Sequence, residues 1–472
     1  QWDLPWVKGL SLKVMGAYDR SSTTSKILST PYFLMLASTP NSTSSDITYS
    51  KASDPRNNAN VTTGKKTNNL TEGFSQWRRI TSQASISYKN TFAEKHKVDL
   101  LALIETRDYK TNKFSASGKD IPFPQLPELD QATTPADKPI GGSSDASRKV
   151  GLVFRGQYNY ADKYLFEFSG RYDGSYKFIG NVSGRRWGFF PSFSAGWRIN
   201  QEGFMQDANW IDNLKLRASW GQLGNINNVG QYDYFATYVQ GGNYNFENTI
   251  VSGIREGKPA NTGLGWETVT ITNVGVDFDI LNGLFSFTGE FYDKQTKDIL
   301  LSYPSPAEVG INKDYKVSQN IGKVSNKGLE FNVSHNNNIG DFSYTIGFNL
   351  SKNWNKVKDL GANDPMIEDP WIKKVGYAIG TFYGFRTDGL LTQEDIDNGN
   401  YITDGITPQA GDIKYVDLDG DGQLTDKDRD YLACDVPDIT YGVNLNLRYK
   451  GFELSMFGQG VTGTMVRFYQ EQ

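Results

Sequence analysis

The stretch VDLDGDGQLTDKDRD, Val416 to Asp430, holds the residues best spaced for chemistry. Asp417, Asp419 and Asp421 alternate, Gly422 follows, and Asp428 closes a twelve-residue span. Calcium takes six to eight oxygens, and a loop of the EF-hand type supplies them from positions 1, 3, 5, 7, 9 and 12. Here those positions are Asp417, Asp419, Asp421, the carbonyl of Gln423, Thr425 through water, and Asp428. Gly422 sits where the backbone must turn sharply, and Leu424 is placed to anchor the loop. Asp428 is shorter than the usual glutamate at position 12, which predicts weaker binding. A solvated acidic turn is the competing reading. The surrounding sequence offers no helices to flank such a loop, so an ion held here is expected to be structural, and no catalytic cofactor is implied.

Other residue types capable of chemistry point nowhere so specific. His96 and His335 are far apart in sequence and read as polar strand residues, and Cys434 is the only cysteine, which excludes an internal disulfide and a Cys-based zinc site. Glu167, Asp173, Asp277 and Glu290 could be drawn as a glycosidase pair. Acids on neighbouring strands of a polar face are expected without catalysis, so the chain is read as no enzyme. The glycine-rich stretches GSSDASRKVG and GQLGN lack a following helix and make poor phosphate cradles. Tyr232, Tyr234, Phe235, Tyr238, Tyr244 and Trp371 lie in long polar segments, where they could stack on sugar rings or pack against a partner protein.

The elements that must position these residues are strands. In GDFSYTIGFNLSKN, Phe342, Tyr344, Ile346, Phe348 and Leu350 alternate with polar or small residues, and DITYGVNLNLRYKG repeats the pattern from Ile439 to Tyr449. Val274, Val276, Phe278 and Ile280 do the same, as do Phe193, Ala195, Trp197 and Ile199. A period of two over about ten residues means one apolar and one polar face. The polar face carries charge, with Arg155, Glu167, Arg171, Arg198 and Arg448. A packed soluble core would make such charges costly, whereas water in a wide lumen solvates them.

Aromatics are 13% of the 472 residues and there are 48 glycines, a composition suited to many strands and turns. No run approaches the roughly 18–20 apolar residues of a membrane helix, which leaves a membrane β-barrel open. The formal charge of −4 argues against a partner nucleic acid bound through its phosphates. Tight connections at Ala161-Asp162-Lys163, Asn282-Gly283, Gly340-Asp341 and Lys450-Gly451 alternate with long polar ones at about 21–76, 108–148, 225–265 and 361–438. Short turns on one side and long loops on the other are the habit of outer-membrane barrels, with the long loops outside the cell. The expected fold is therefore an all-β, transmembrane, antiparallel up-and-down β-barrel of roughly fourteen strands, with outer-membrane lipids against its apolar face. A soluble sandwich remains the structural alternative. Gln1 and Gln472 bound a chain read as a piece of a longer, exported protein.

In order along the chain, KYLFEFSGRYDGSYKF, RRWGFFPSFSAGWRI, NLKLRASWGQLGN, WETVTITNVGVDF, NIGKVSNKGLEFNVSH, GTFYGFRTDGLLTQEDID, GDIKYVDLDGDGQLTDKDR and ITYGVNLNLRYKGFELSMFGQGVTG resemble the barrel of SusC/RagA-type TonB-dependent outer-membrane transporters. The resemblance implies a 22-stranded barrel, of which this chain would be roughly the second half, and a plug and TonB box that lie outside it. It implies import of a glycan, or in some cases a peptide, driven through TonB with ExbB and ExbD. It also implies a SusD-type lipoprotein lid and a bacterium of the Bacteroidetes type. The functional alternative is a calcium-stabilised porin-like or adhesin-like barrel without energised transport, and a surface glycan hydrolase is a third hypothesis.

Overall fold

The computed structural model describes residues 1–30, 32–33, 35–38, 48–51, 64–65, 68–132, 139–178, 185–241, 244–246, 249–257, 259–304, 316–403, 405 and 407–467. Fourteen strands form its principal sheet. They are β1 Trp2–Asp3, β2 Leu10–Ser29, β3 Asn69–Phe92, β4 His96–Lys119, β5 Ile140–Tyr160, β6 Tyr164–Ser175 and β7 Trp187–Arg198. Then follow β8 Ile211–Asn225, β9 Glu267–Ile280, β10 Phe285–Pro304, β11 Lys316–Ile339, β12 Phe342–Asp359, β13 Ile439–Tyr449 and β14 Phe452–Thr462. Each strand hydrogen-bonds to the next in sequence, an unbroken up-and-down order. One short helix, α1 (Gln393–Asp397), lies in the connection between β12 and β13.

The turns explain the order. Lys450 and Gly451 both take positive φ, the backbone that a two-residue hairpin needs, and Leu281, Asn282 and Gly283 do so within the four-residue turn between Ile280 and Phe285. Ala161 and Asp162 adopt the same conformation, with the Asp162 amide donating to Asn159 Oδ1 at 2.9 Å. At the other end the strands run on into segments whose sequence reads as loop. β2 extends to Ser29, β3 starts at Asn69, β4 extends to Lys119 and β5 starts at Ile140. Polar residues interrupt the alternation on both faces there, apolar exceptions such as Leu28 and Leu70 packing into a loop core, and the ladder continues after the hydrophobic period has stopped.

Facing is set by register, because directly opposed residues of antiparallel neighbours share a face. Phe166 opposes Ala195, Ala195 opposes Ala218, Ala218 opposes Val274, and Val274 opposes Phe291. One residue along, Gly196 opposes Arg217, Arg217 opposes Gly275, and Gly275 opposes Glu290. The apolar row is the one exposed: Phe166 is 51% accessible, and Phe193 and Val274 similarly so. A soluble sandwich would bury that row.

Aromatic rings mark the short-turn ends of the strands. His96 packs on Tyr160 at 5.0 Å, Tyr160 on Tyr164 at 6.3 Å, and His335 on Phe285 at 4.3 Å. At the opposite end Tyr172 stacks on Trp187 at 5.0 Å. Trp187 and Trp197 lie ten residues apart on β7. That is ~33 Å of strand, or ~25 Å of height at a ~40° tilt, the apolar band of an outer-membrane barrel.

Contacts divide the chain into one unit of residues 1–12, 85–103 and 151–472 and another of 13–84 and 104–150. Each has its own small core among the loops. In the first, Phe178, Ile226, Val229 and Leu264 are buried with Trp266 against them, and the Lys177 ammonium donates to the Val229 carbonyl at 2.6 Å. In the second, Leu70, Ile121 and Ala132 are buried, and Lys26 bridges Glu72 and Glu128 at 2.9 and 3.0 Å.

Candidate functional site

The polar face of the sheet holds a charge network whose members are distant in sequence. Arg217 on β8 reaches past Gly275 on β9 to donate from Nη2 to Glu290 on β10 at 2.7 Å, and its Nε lies 3.4 Å from Asp277. A Cβ on Gly275 would fall 2.7 Å from Arg217 Cζ, so the glycine is what lets the guanidinium cross. Asn273 also donates to Glu290. Further along the face Gln157 donates to Glu167, and Arg171 Nε donates to Asp173 at 2.7 Å. Each carboxylate that could be drawn as a glycosidase acid is thus held by a cation or an amide.

Against the same face lies a cavity of about 940 Å³ whose lining includes Lys8, Lys89, Lys97, Lys215 and Arg217, with Asp99 and Glu167 as its carboxylates. Lys89 pairs with Asp99 at 2.8 Å, and Lys97 pairs with Asp162 in the adjoining turn at 2.7 Å. The result is a charged surface directly behind an apolar one. His96 and His335 are strand residues among aromatics, and His96 Nδ1 lies 2.8 Å from the Tyr158 hydroxyl.

The long connection from β12 to β13 folds on a four-stranded sheet of Met366–Glu368, Trp371–Lys373, Thr381–Phe385 and Arg429–Cys434. In the acidic loop the carboxylate oxygens of Asp417, Asp419 and Asp421 lie within 4.8 Å of one another. Gly420 and Gly422 take positive φ, and their amides donate to the two oxygens of Asp417 at 2.7 and 3.0 Å. The Gln423 amide donates to Asp421 Oδ1 at 2.8 Å.

Asp428 is turned elsewhere. It is fully buried, and its oxygens accept from the amides of Leu418 at 2.9 Å and Thr425 at 2.8 Å. These amides hold its carboxyl below the usual carboxylate range. Thr425 and Asp428 form a reciprocal capping box on the single turn Asp426–Asp428. Lys427 instead brings its ammonium to 3.0 Å from Asp419 and 3.8 Å from Asp421. Its pKa is raised by the hydrogen bond to Asp419 and then by the charges of both aspartates. Three of the expected calcium ligands are therefore gathered, with a lysine supplying the countercharge.

α1 is locked by Asp395, whose carboxylate accepts from the Thr392 hydroxyl at 2.7 Å and from Lys414 at 2.5 Å. Those bonds, Lys414 first, keep Asp395 well below the carboxylate range. Cys434 donates to the Ile379 carbonyl at 3.1 Å, and burial pushes its thiol up, as expected of an inert cysteine.

The loop aromatics separate into two groups. Tyr238 and Tyr244 stand on the short strands Tyr238–Gln240 and Tyr244–Phe246, 74% and 62% exposed, and Tyr232 is also exposed. Tyr234 packs on Phe235 at 4.4 Å. Trp371 stacks on Phe382 at 6.0 Å and donates from Nε1 to Asp435 at 3.1 Å, which ties it into the loop sheet. Sequence reasoning missed Arg217, Lys427 and Lys414. The first needs the three-strand register to be seen. For Lys427 a signal exists, a lone cation inside an acidic run.

Residues 2–470 match the family model described as TonB dependent receptor-like, beta-barrel. TonB-dependent receptor P3 of Formosa agariphila is 31% identical over 68% of this chain and 32% of its own length. TonB-dependent receptor SusC of Bacteroides thetaiotaomicron is 31% identical over 66% of this chain and 31% of its own. The chain thus spans about a third of these relatives. Among solved structures, the RagAB peptide importer in its open-open state superposes over 97% of this chain and 45% of that one, with a TM-score of 0.77 at 21% identity, a likeness of fold. The paired alternation, the exposed apolar row, the two aromatic girdles and the family match agree: this chain belongs to the TonB-dependent receptor β-barrels, of SusC/RagA type, and resides in the outer membrane.

Proposed function

We propose that this chain is barrel wall and outer loops of an importer for an oligomeric nutrient, a glycan, powered through TonB with ExbB and ExbD and closed by a SusD-type lipoprotein. The observation that supports the reading most is the charged, polar face of Arg217, Glu290, Asp277 and Asn273 behind an exposed apolar row. Such a face suits the passage of a hydroxyl-rich solute, and the exposed rings of Tyr238 and Tyr244 suit stacking on pyranose faces before entry. The long loops, including the acidic one, are taken as extracellular. The test is uptake of labelled oligosaccharides and peptides by cells carrying the full-length receptor, with and without TonB. TonB-dependent oligosaccharide uptake is expected. Uptake indifferent to TonB would favour an open porin, and uptake of peptides alone would replace the glycan.

On the same proposal the loop of Asp417, Asp419 and Asp421 holds a structural calcium ion that displaces the Lys427 ammonium, with Gln423, Thr425 and water completing its shell. Calorimetric titration of the full-length receptor with calcium tests it, and an absence of heat in both wild type and Lys427→Ala would remove the ion.

A further inference from the structure

The apolar face of the sheet is grooved. One depression of about 570 Å³ is floored by Ala195 and Ala218 and walled by Phe166, Phe168, Phe193 and Trp220. A second, of about 400 Å³, is lined by Ile86, Leu100 and Phe154 with Ala102. The two share Gly156 and Phe168, so a single ring divides them. The first is caused by a change of side-chain size within one row. Ala195 and Ala218 oppose each other between Phe166 and Val274, leaving a trough where neighbouring rows carry rings. The walls are themselves braced, Phe168 against Phe193 at 5.0 Å and Phe193 against Trp220 at 6.0 Å.

We infer that this double groove retains one glycerophospholipid, its two acyl chains lying either side of Phe168. The groove is continuous with the membrane-facing surface, so its surroundings are acyl chains rather than water. Within a bilayer no hydrophobic gain separates protein from lipid, and retention rests on shape, since a chain in a trough touches rings on both sides. The pair Phe166–Ala195 lies two residues beyond the pair Tyr164–Trp197 of the short-turn girdle, so the groove opens ~7 Å inside that interface. The choice of a phospholipid rests on the proposed orientation, which puts the short turns and their phospholipid leaflet at the periplasm.

The test is native mass spectrometry of the full-length receptor through stepwise delipidation. Retention of one phospholipid is expected, reduced about fivefold in Ala195→Phe/Ala218→Phe, which replaces roughly ten dispersion contacts with chain by contacts within the protein. Val443→Phe, on the exposed face of β13, is the control and should retain the lipid. Heat-modifiable migration on gels shows that each variant folds. Retention of lipid A instead, retention unaffected by the double variant, or no retained lipid in the wild type would each overturn the inference. Nutrient uptake is read separately, so failure of the groove leaves the transport reading standing.

Discussion

Gly275→Ala offers a test of the polar network, because its effect should depend on a side chain two strands' pairing has brought to it. A Cβ there lies 2.7 Å from Arg217 Cζ, 2.9 Å from Nη2 and 3.0 Å from Nε. Those atoms are the far end of a flexible side chain, so the guanidinium moves and the backbone stays. Its departure removes the 2.7 Å bond to Glu290 and the 3.4 Å contact with Asp277. A hydrogen bond to a charged group contributes about 1.5–3 kcal/mol when well buried. Arg217, Asp277 and Glu290 keep 28%, 26% and 24% of their side-chain surface accessible, so water replaces part of the loss and about 1–2 kcal/mol remains. In an Arg217→Met background the added methyl displaces nothing, and its cost should drop below ~0.5 kcal/mol, the ordinary size of an unconstrained surface change. Urea unfolding of the full-length receptor in vesicles, run as a double-mutant cycle, reads the difference. Equal costs in the two backgrounds would show that Gly275 serves the strand itself and not the passage of Arg217.

Three other outcomes follow from the loops. Lys427→Ala should tighten calcium binding by the full-length receptor in calorimetry, since the ammonium that competes for Asp419 and Asp421 is gone; weaker binding would mean that Lys427 orders the site. Asp428 has a depressed folded-state pKa, so its support of the loop is fully present above the ordinary carboxylate range and is lost as pH falls through the folded value. Hydrogen exchange of residues 417–428 should therefore rise only in acid, and Asp428→Asn should show the raised exchange already at neutral pH; a flat profile in the wild type would refute this. Tyr238→Ala/Tyr244→Ala should weaken oligosaccharide capture by about 1–2 kcal/mol, five- to thirty-fold, as loss of an aromatic anchor does. The unfolding midpoint should stay put, because both rings are largely exposed; unchanged capture would assign these tyrosines elsewhere.

The alternation of β12 and β13 and the turns at Asn282-Gly283 and Lys450-Gly451 were legible because side-chain period and φ preference are local properties. The turn joining β3 to β4 was not. Ala93 and Glu94 both take positive φ there, a conformation neither residue favours, imposed by the pairing of the two flanking strands. The far ends of β2 to β5 were equally hidden, since Ser, Thr, Lys and Asn on both faces erase the period of two while the backbone ladder continues. Arg217 and Glu290 are 73 residues apart, and only register sets them on one row.

The acidic loop shows most clearly where reading from spacing reaches its limit. Asp428 stands at a calcium loop's twelfth position and also at the third residue after Thr425, the spacing of a capping box. Without an ion the two demands compete for the same two oxygens, and the amides of Leu418 and Thr425 take them. Lys427, next to it in sequence, then answers the charge left on Asp419 and Asp421. An arriving cation must displace a lysine and does not have to build a loop from coil, because the Asp417 carboxylate already holds the amides of Gly420 and Gly422. That makes the loop's order largely independent of its ion. The sharpest discriminator is therefore calcium dependence: chelation should raise hydrogen exchange at the amides of Asp421 and Gln423, which donate to the two aspartates that Lys427 faces, and leave Leu418, Gly420, Gly422 and Thr425 protected. Exposure of the whole segment on chelation would show that Asp428 had been a ligand after all.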